Sequence, residues 1–90
     1  MNYFVYILKS LKDLKLYIGV TGNLERRILQ HNAGKNKSTK CRRPFILIYY
    51  EKFTNKKLAY KREWYFKNTG VGNIEMRRLA EVAKLVTAGL

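Results

Sequence analysis

Apolar and polar positions fall in blocks along the chain, and each block has its own period. Tyr3 to Leu8 reads Y-F-V-Y-I-L, aromatic and β-branched without a polar gap, which predicts a strand buried on both faces. Ser10 to Lys15 is polar, contains Asp13 and reads as a turn. Leu16 to Val20 predicts a second short strand, stopped by Thr21 and Gly22 and close enough to the first for a hairpin. A register that sets Tyr6 opposite Tyr17 would bring both phenols side by side on one face. A slip of one residue would separate them.

Beyond Asn23 the period lengthens. Asn23 is a suitable N-cap for a helix running to about Asn32, with Gly34 just past its end. At 100° per residue, Leu24, Arg27, Ile28 and His31 share about 100° of arc. Arg26 falls roughly opposite. Arg27 therefore sits beside the buried face and His31 one turn further along the same side. Lys35 to Arg43 reads as a loop closed by Pro44, with the basic side chains Lys35, Lys37, Lys40, Arg42 and Arg43 and no acid. Phe45 to Tyr50 predicts a third strand, apolar on both faces. Thr54 is the expected cap of a second helix to about Asn68. Ala59, Glu63 and Phe66 lie on one of its stripes; Tyr60, Trp64 and Lys67 lie on another, either packed under a third helix or stacking on bases. Thr69-Gly70-Val71-Gly72 predicts a break. A last helix over about 73–86 would use Ile74, Leu79, Val82 and Val86 as its apolar stripe. The order β-β-α-β-α-α predicts a small α+β domain, a three-stranded sheet flanked by helices.

Composition narrows the partners. The 90 residues suffice for one compact domain. Lys and Arg number 19 against 6 Asp and Glu, a formal net charge of +13. Such an excess points to a polyanion. The six carboxylates are scattered, which argues against a preformed two-metal site. Cys41 is the single cysteine, so neither an internal disulfide nor a four-ligand structural zinc is expected, and a reducing compartment suits the chain. No apolar run approaches the ~20 residues that a membrane span takes. No secretory leader is recognisable, so a cytoplasmic location is expected.

The motifs V-Y-I at 5–7, Y-I-G at 17–19 and T-x-N-L-x-x-R-x-x-x-H at 21–31 come first. R-P at 43–44, I-Y-Y-E at 48–51 and A-x-x-x-E at 59–63 follow. Taken together and in this order, over about residues 2–70, the chain resembles the GIY-YIG nuclease superfamily, in particular its small single-domain bacterial members. The resemblance implies hydrolysis of DNA phosphodiesters with a divalent metal, Mg²⁺ or Mn²⁺. It implies catalytic roles for Tyr6, Tyr17, Arg27, His31 and Glu63, with Glu63 as the metal ligand. Phe4 stands where the first motif has its glycine. No appended specificity domain accompanies the motifs, so the resemblance implies recognition of DNA structure, or a protein partner that supplies selectivity, in repair or recombination.

The residue types suit that chemistry in their own right. Phosphodiester hydrolysis needs a base for the attacking water and a counter-charge for the developing phosphorane. Tyr6, polarised by His31 or Tyr17, is the candidate base. The fork of Arg27 matches phosphate oxygens. One Mg²⁺ needs only one or two protein carboxylates, which Glu63 can supply. Lys35, Lys37, Lys40, Arg42 and Arg43 would bind the nucleic-acid backbone. The alternative is a basic nucleic-acid-binding module on the same fold without turnover; such a binder needs cations but not Glu63.

Overall fold

The computed structural model describes the backbone of residues 1–88 and the side chains of residues 1–82. Its elements are β1 (Tyr3–Ser10), β2 (Leu16–Thr21), α1 (Leu24–Asn32), the single turn α2 (Lys37–Lys40), β3 (Phe45–Phe53), α3 (Lys56–Asn68) and α4 (Gly70–Ala88). The three strands form an antiparallel sheet in the order β2-β1-β3. The fold is the expected α+β arrangement.

The central position of β1 explains its uninterrupted apolar sequence. Val5 and Ile7 face one layer, where Ile18, Ala59, Phe66 and Met76 complete a core. Tyr6 and Leu8 face the other, with Phe45 and, around them, Tyr17, Leu24, Ile28 and Leu47. Each such side chain removed from water contributes ~1.5–3 kcal/mol. Helix α1 thus covers one face of the sheet, and α3 with α4 covers the other.

The hairpin register is offset by two residues from the one that would set Tyr6 directly opposite Tyr17. Tyr6 pairs with Gly19, and Tyr17 pairs with Leu8. A shift of two preserves the face, so both phenols still point toward α1, as diagonal rather than direct neighbours. The turn between β1 and β2 is organised by Ser10, fully buried, whose Oγ accepts from the backbone N–H groups of Lys12 and Asp13 at 3.1 Å each.

Other expectations need correction. Strand β3 runs on to Phe53 and lies at the sheet edge, so Ile46 and Tyr50 are exposed and the strand is not apolar-buried on both faces. Asn55, not Thr54, caps α3, accepting from the N–H groups of Lys57 and Leu58. The break before α4 is one residue long. Thr69 alone is extended (φ −119°, ψ 147°). Its Oγ1 donates to the Tyr65 carbonyl at 2.8 Å and accepts from the Gly72 N–H at 2.8 Å, ending one helix and starting the next. Gly72 is then helical, and a Cβ there would overlap the Tyr65 carbonyl. Met76 and Leu79 pack inward from α4, whereas Ile74 and Val82 are exposed. The expected stripe is therefore rotated, and Val86 lies outside the described side chains.

A polar network ties the α3–α4 layer to the sheet. Arg62 donates from Nε and Nη2 to Glu51 of β3 at 2.8 and 3.0 Å, and from Nη2 to Glu75 of α4 at 2.8 Å. Tyr49 and Tyr65 donate to the same two carboxylates at 2.6 and 2.8 Å. The guanidinium also lies 4.1 Å from the Phe66 ring centroid.

Candidate active site

Tyr6 is fully buried, with its ring lying across β2 at Gly19. A Cβ at Gly19 would sit 2.5 Å from the Tyr6 hydroxyl. The glycine of Y-I-G is therefore what leaves the phenol room to extend over its neighbouring strand.

Helix α1 brings two partners to that hydroxyl. The Asn23 side chain accepts from the Arg26 N–H at 3.0 Å and starts the helix there, which sets Leu24, Arg27, Ile28 and His31 toward the sheet. Arg27 Nε donates to Tyr6 Oη at 3.3 Å, and Arg27 Nη1 donates to Gln30 Oε1 at 3.3 Å. His31 Nε2 lies 3.0 Å from Tyr6 Oη. The Tyr17 ring stands edge-on to the imidazole, 4.9 Å between centroids, and 6.4 Å from the Tyr6 ring. Four of the five residues singled out in the sequence thus form one cluster. An open groove of about 370 Å³ adjoins it, lined by Val20, Thr21, Gly22, Asn23, Arg26, Arg27 and Gln30.

Electrostatics inside the cluster are set mainly by burial. Burial pushes the Tyr6 phenol above its ordinary value; the Arg27 hydrogen bond opposes this, and the charges of Tyr17 and Glu63 add to the rise. Burial, with Arg27 beside it, pushes His31 down to about 4. The imidazole is therefore neutral at pH 7.

Glu63 makes no hydrogen bond to the cluster, and its helix belongs to the opposite layer. It projects from α3, which packs on β1 and β2, and its charge is felt at Tyr6 without direct contact. Its side chain is 19% exposed and its Oε2 lies 3.4 Å from Lys67 Nζ. Among the described residues no three His, Cys, Asp or Glu side chains converge. That donor set does not suit a closed zinc or iron centre. It fits a hard cation that keeps most of its waters and takes a single carboxylate.

The basic segment divides. Lys35, Lys37, Lys40 and Arg43 are exposed. Arg42 is engaged within the fold: its Nε donates to Asp13 Oδ2 at 2.8 Å and its Nη2 to the Leu16 carbonyl at 3.4 Å. Its carbonyl accepts from Ser10 Oγ at 2.5 Å. The segment is also less loop-like than its sequence suggests, since α2 forms in its middle and buries Thr39. Tyr60 and Trp64 are exposed, so neither packs under α4. Gly19 belongs to the Y-I-G motif picked out in the sequence, whereas Gln30, Asn36 and Thr39 were not distinguishable as site residues there. Gln30, one turn beyond Arg27, was the most accessible by spacing.

A central strand, a tyrosine laid over a glycine on the neighbouring strand, and an arginine and histidine one turn apart define a class of nuclease domain. Residues 2–71 match the GIY-YIG catalytic domain, and the chain belongs to that family. Within it, the chain is 52% identical over 67 residues to the UPF0213 protein of Staphylococcus haemolyticus, covering 73% of this chain and 80% of that one. It is 54% identical over 68 residues to the UPF0213 protein of Clostridium perfringens, covering 74% and 71% respectively. The solution NMR structure of the UPF0213 protein from Bacillus halodurans superposes with a TM-score of 0.55 at 35% identity, over 91% of this chain and 85% of that one.

Proposed function

We propose that the chain is a single-domain, divalent-metal-dependent endonuclease that hydrolyses DNA phosphodiesters, selecting DNA structure more than sequence, in cytoplasmic repair or recombination. One observation carries this reading: the Tyr6 hydroxyl is held at 3.0 Å by His31 and at 3.3 Å by Arg27, beside a groove lined by two arginines. A tyrosine serving only the core would need neither a permanent cation nor an open groove next to it.

Tyr6 rests as the phenol; its O–H proton passes to His31 Nε2, 3.0 Å away, as its oxygen accepts the proton of the attacking water, whose oxygen bonds to phosphorus as the P–O bond to the leaving strand breaks and the strand departs as the alkoxide. Arg27, pinned by Gln30, neutralises charge on the non-bridging oxygens. Arg26 and the start of α1 supply further positive potential along the groove. Glu63 would hold Mg²⁺ or Mn²⁺, which when bound supplies Lewis-acid stabilisation of the phosphate. Lys35, Lys37, Lys40 and Arg43 bind the flanking backbone, and a protein partner refines selection.

The test is cleavage of supercoiled, flapped and branched DNA with Mg²⁺ or Mn²⁺, comparing the parent with Glu63→Gln. The variant should lose cleavage while binding DNA as well or slightly better, because a negative charge is removed. Equal cleavage by both would sink Glu63 as the ligand. Binding without cleavage by the parent on every substrate would favour a non-catalytic module.

A further inference from the structure

Helix α3 is covered on one side only. Ala59 and Phe66 are buried in the core beneath it. Away from them, Tyr60 is 48% and Trp64 60% exposed, although rings of this size are usually well buried. At 100° per residue the two rings lie about 40° apart and one turn from each other, the spacing at which helical side chains become neighbours. Lys56 and Lys67 flank them on one side, Lys57 and Lys61 on the other, and all four are exposed. Lys56 Nζ stands 6.0 Å from the Tyr60 ring centroid, at the outer limit of a cation–π contact, so a stacking partner displaces it at little cost. Glu63 is the only acid in α3. It falls between this face and the buried stripe, and it pairs with Lys67 at 3.4 Å.

Two aromatic rings among four cations select their occupant by chemistry. A protein partner that covered Trp64 would have to desolvate the lysines around it, and lysine is depleted in protein interfaces. A membrane surface would need an apolar helix face, and that of α3 already packs into the core. A polyanion satisfies the lysines. Duplex DNA would do so without using the rings, because its bases stack on one another and turn only their edges to the grooves. Unpaired bases bring both phosphates and free π-faces, and their stacking on aromatic side chains is tolerant of sequence.

We propose that Tyr60 and Trp64 form a stacking platform for unpaired DNA bases, with Lys56, Lys57, Lys61 and Lys67 taking the phosphates on either side. The platform is separate from the Lys35–Arg43 segment, which meets the backbone alone. It rests on the nuclease reading and deepens it: an unpaired stretch held on the face next to Glu63 is the structural feature that marks DNA for cleavage, and flapped or branched DNA is preferred to plain duplex.

The first test needs neither metal nor activity. Trp64 is the single tryptophan of the chain, so its emission reports on this face. With metal omitted, oligo(dT) should quench that emission. A duplex and an abasic strand of the same length, which bring phosphates without free base faces, should leave it near its starting value at saturation. Trp64→Ala should weaken binding of labelled oligo(dT), followed by anisotropy, by ~5–150-fold. Trp64→Phe should keep most of the parental affinity, and duplex affinity should be the same in all three proteins. Equal quenching by the abasic strand overturns the proposal in the parent alone, because phosphates would then explain it. So does an equal loss on oligo(dT) and duplex in Trp64→Ala. A dimer in sedimentation that depends on Trp64 and persists with oligo(dT) gives the face to a second copy and overturns the proposal too. Quenching by oligo(dT) with no cleavage of any substrate upholds the platform and overturns the nuclease reading; cleavage of flapped DNA without quenching does the reverse.

Discussion

Tyr6→Phe removes one oxygen from a ring that otherwise keeps its place over Gly19, so packing survives and hydrogen bonding does not. Turnover should fall by ~10²–10⁴-fold, the usual contribution of a positioned base. The buried imidazole also loses a partner, which costs about 1–3 kcal/mol of stability. Tyr17→Phe should cost less in turnover, because the Tyr17 ring stacks edge-on against His31 and makes no hydrogen bond to Tyr6. Steady-state cleavage rates with urea midpoints for both variants check this; two variants at the parental rate would reduce the tyrosines to sheet aromatics. Arg27 and His31 were legible as inward-facing because a helix converts a spacing of four into shared direction. Thr39 and Asn36 were not, because a polar residue between lysines reads as solvated until the chain folds back eight and five residues to meet the imidazole. The pairing of Tyr6 with Gly19 was hidden for a related reason. The register depends on the Ser10-centred turn, and its geometry includes Leu14 at a positive φ of 61°, which a six-residue polar stretch does not announce.

At the level of elements, the parts read well where local rules and burial agree. Strand β1 is apolar throughout because it is central, and α1 starts and stops at its cap and its left-handed glycine (Gly34, φ 76°). Legibility fails where an apolar run lies at an edge or where a helix partner is unknown. Strand β3 carries apolar residues on a half-covered edge. The inward face of α4 is fixed by the Thr69 hinge and by Arg62, neither of which periodicity reveals. Arg62→Met keeps a long apolar stem against Phe66 but leaves Glu51 and Glu75 without their cation. The pair is partly exposed, so the expected loss at pH 7 is about 1–3 kcal/mol, below that for a buried pair. Burial pushes Glu51 up, and the hydrogen bonds from Arg62 and Tyr49 outweigh it to hold the group below its usual range. Glu75 is held down chiefly by Arg62. A depressed carboxylate stabilises above its unfolded pKa and loses that contribution as pH falls through the folded value. The difference between parent and variant should therefore shrink below about pH 4.3; urea denaturation across pH 3–7 measures it, and a constant difference would show that packing, not charge, is what Arg62 supplies.

For the molecule as a whole, the charge of +13 describes how it meets a polyanion and says little about what holds the fold together. Among the described residues no helix is long and apolar enough to cross a membrane, and the cations left exposed around the groove and the α2 segment face solvent. Stability responds to pH through a single interior group before it responds through the surface. His31 is 0% exposed, and its pKa is pushed from 6.5 down to about 4, first by burial and then by the charge of Arg27. The groups facing it are Tyr6, Tyr17, Arg27, Asn36 and Thr39, and none is an acid that could welcome a proton. Between these two pH values the unfolded chain binds a proton that the folded chain refuses. Stability therefore rises with pH through this window and is lost as pH falls from about 6.5 toward 4, by up to ~3 kcal/mol. Urea midpoints at constant ionic strength should decline steadily from pH 7 to 4.5, well above the range in which Glu51, Glu75 and Asp13 (held at about 2 by the Arg42 hydrogen bond) take up protons. His31→Gln, neutral at every pH and able to hydrogen-bond in the same space, should start from a lower midpoint and stay flat through the same window. A decline of equal slope in the variant would assign the effect to repulsion among the surface cations, and raising the salt concentration would then abolish it, since exposed charges are screened and a buried imidazole is not.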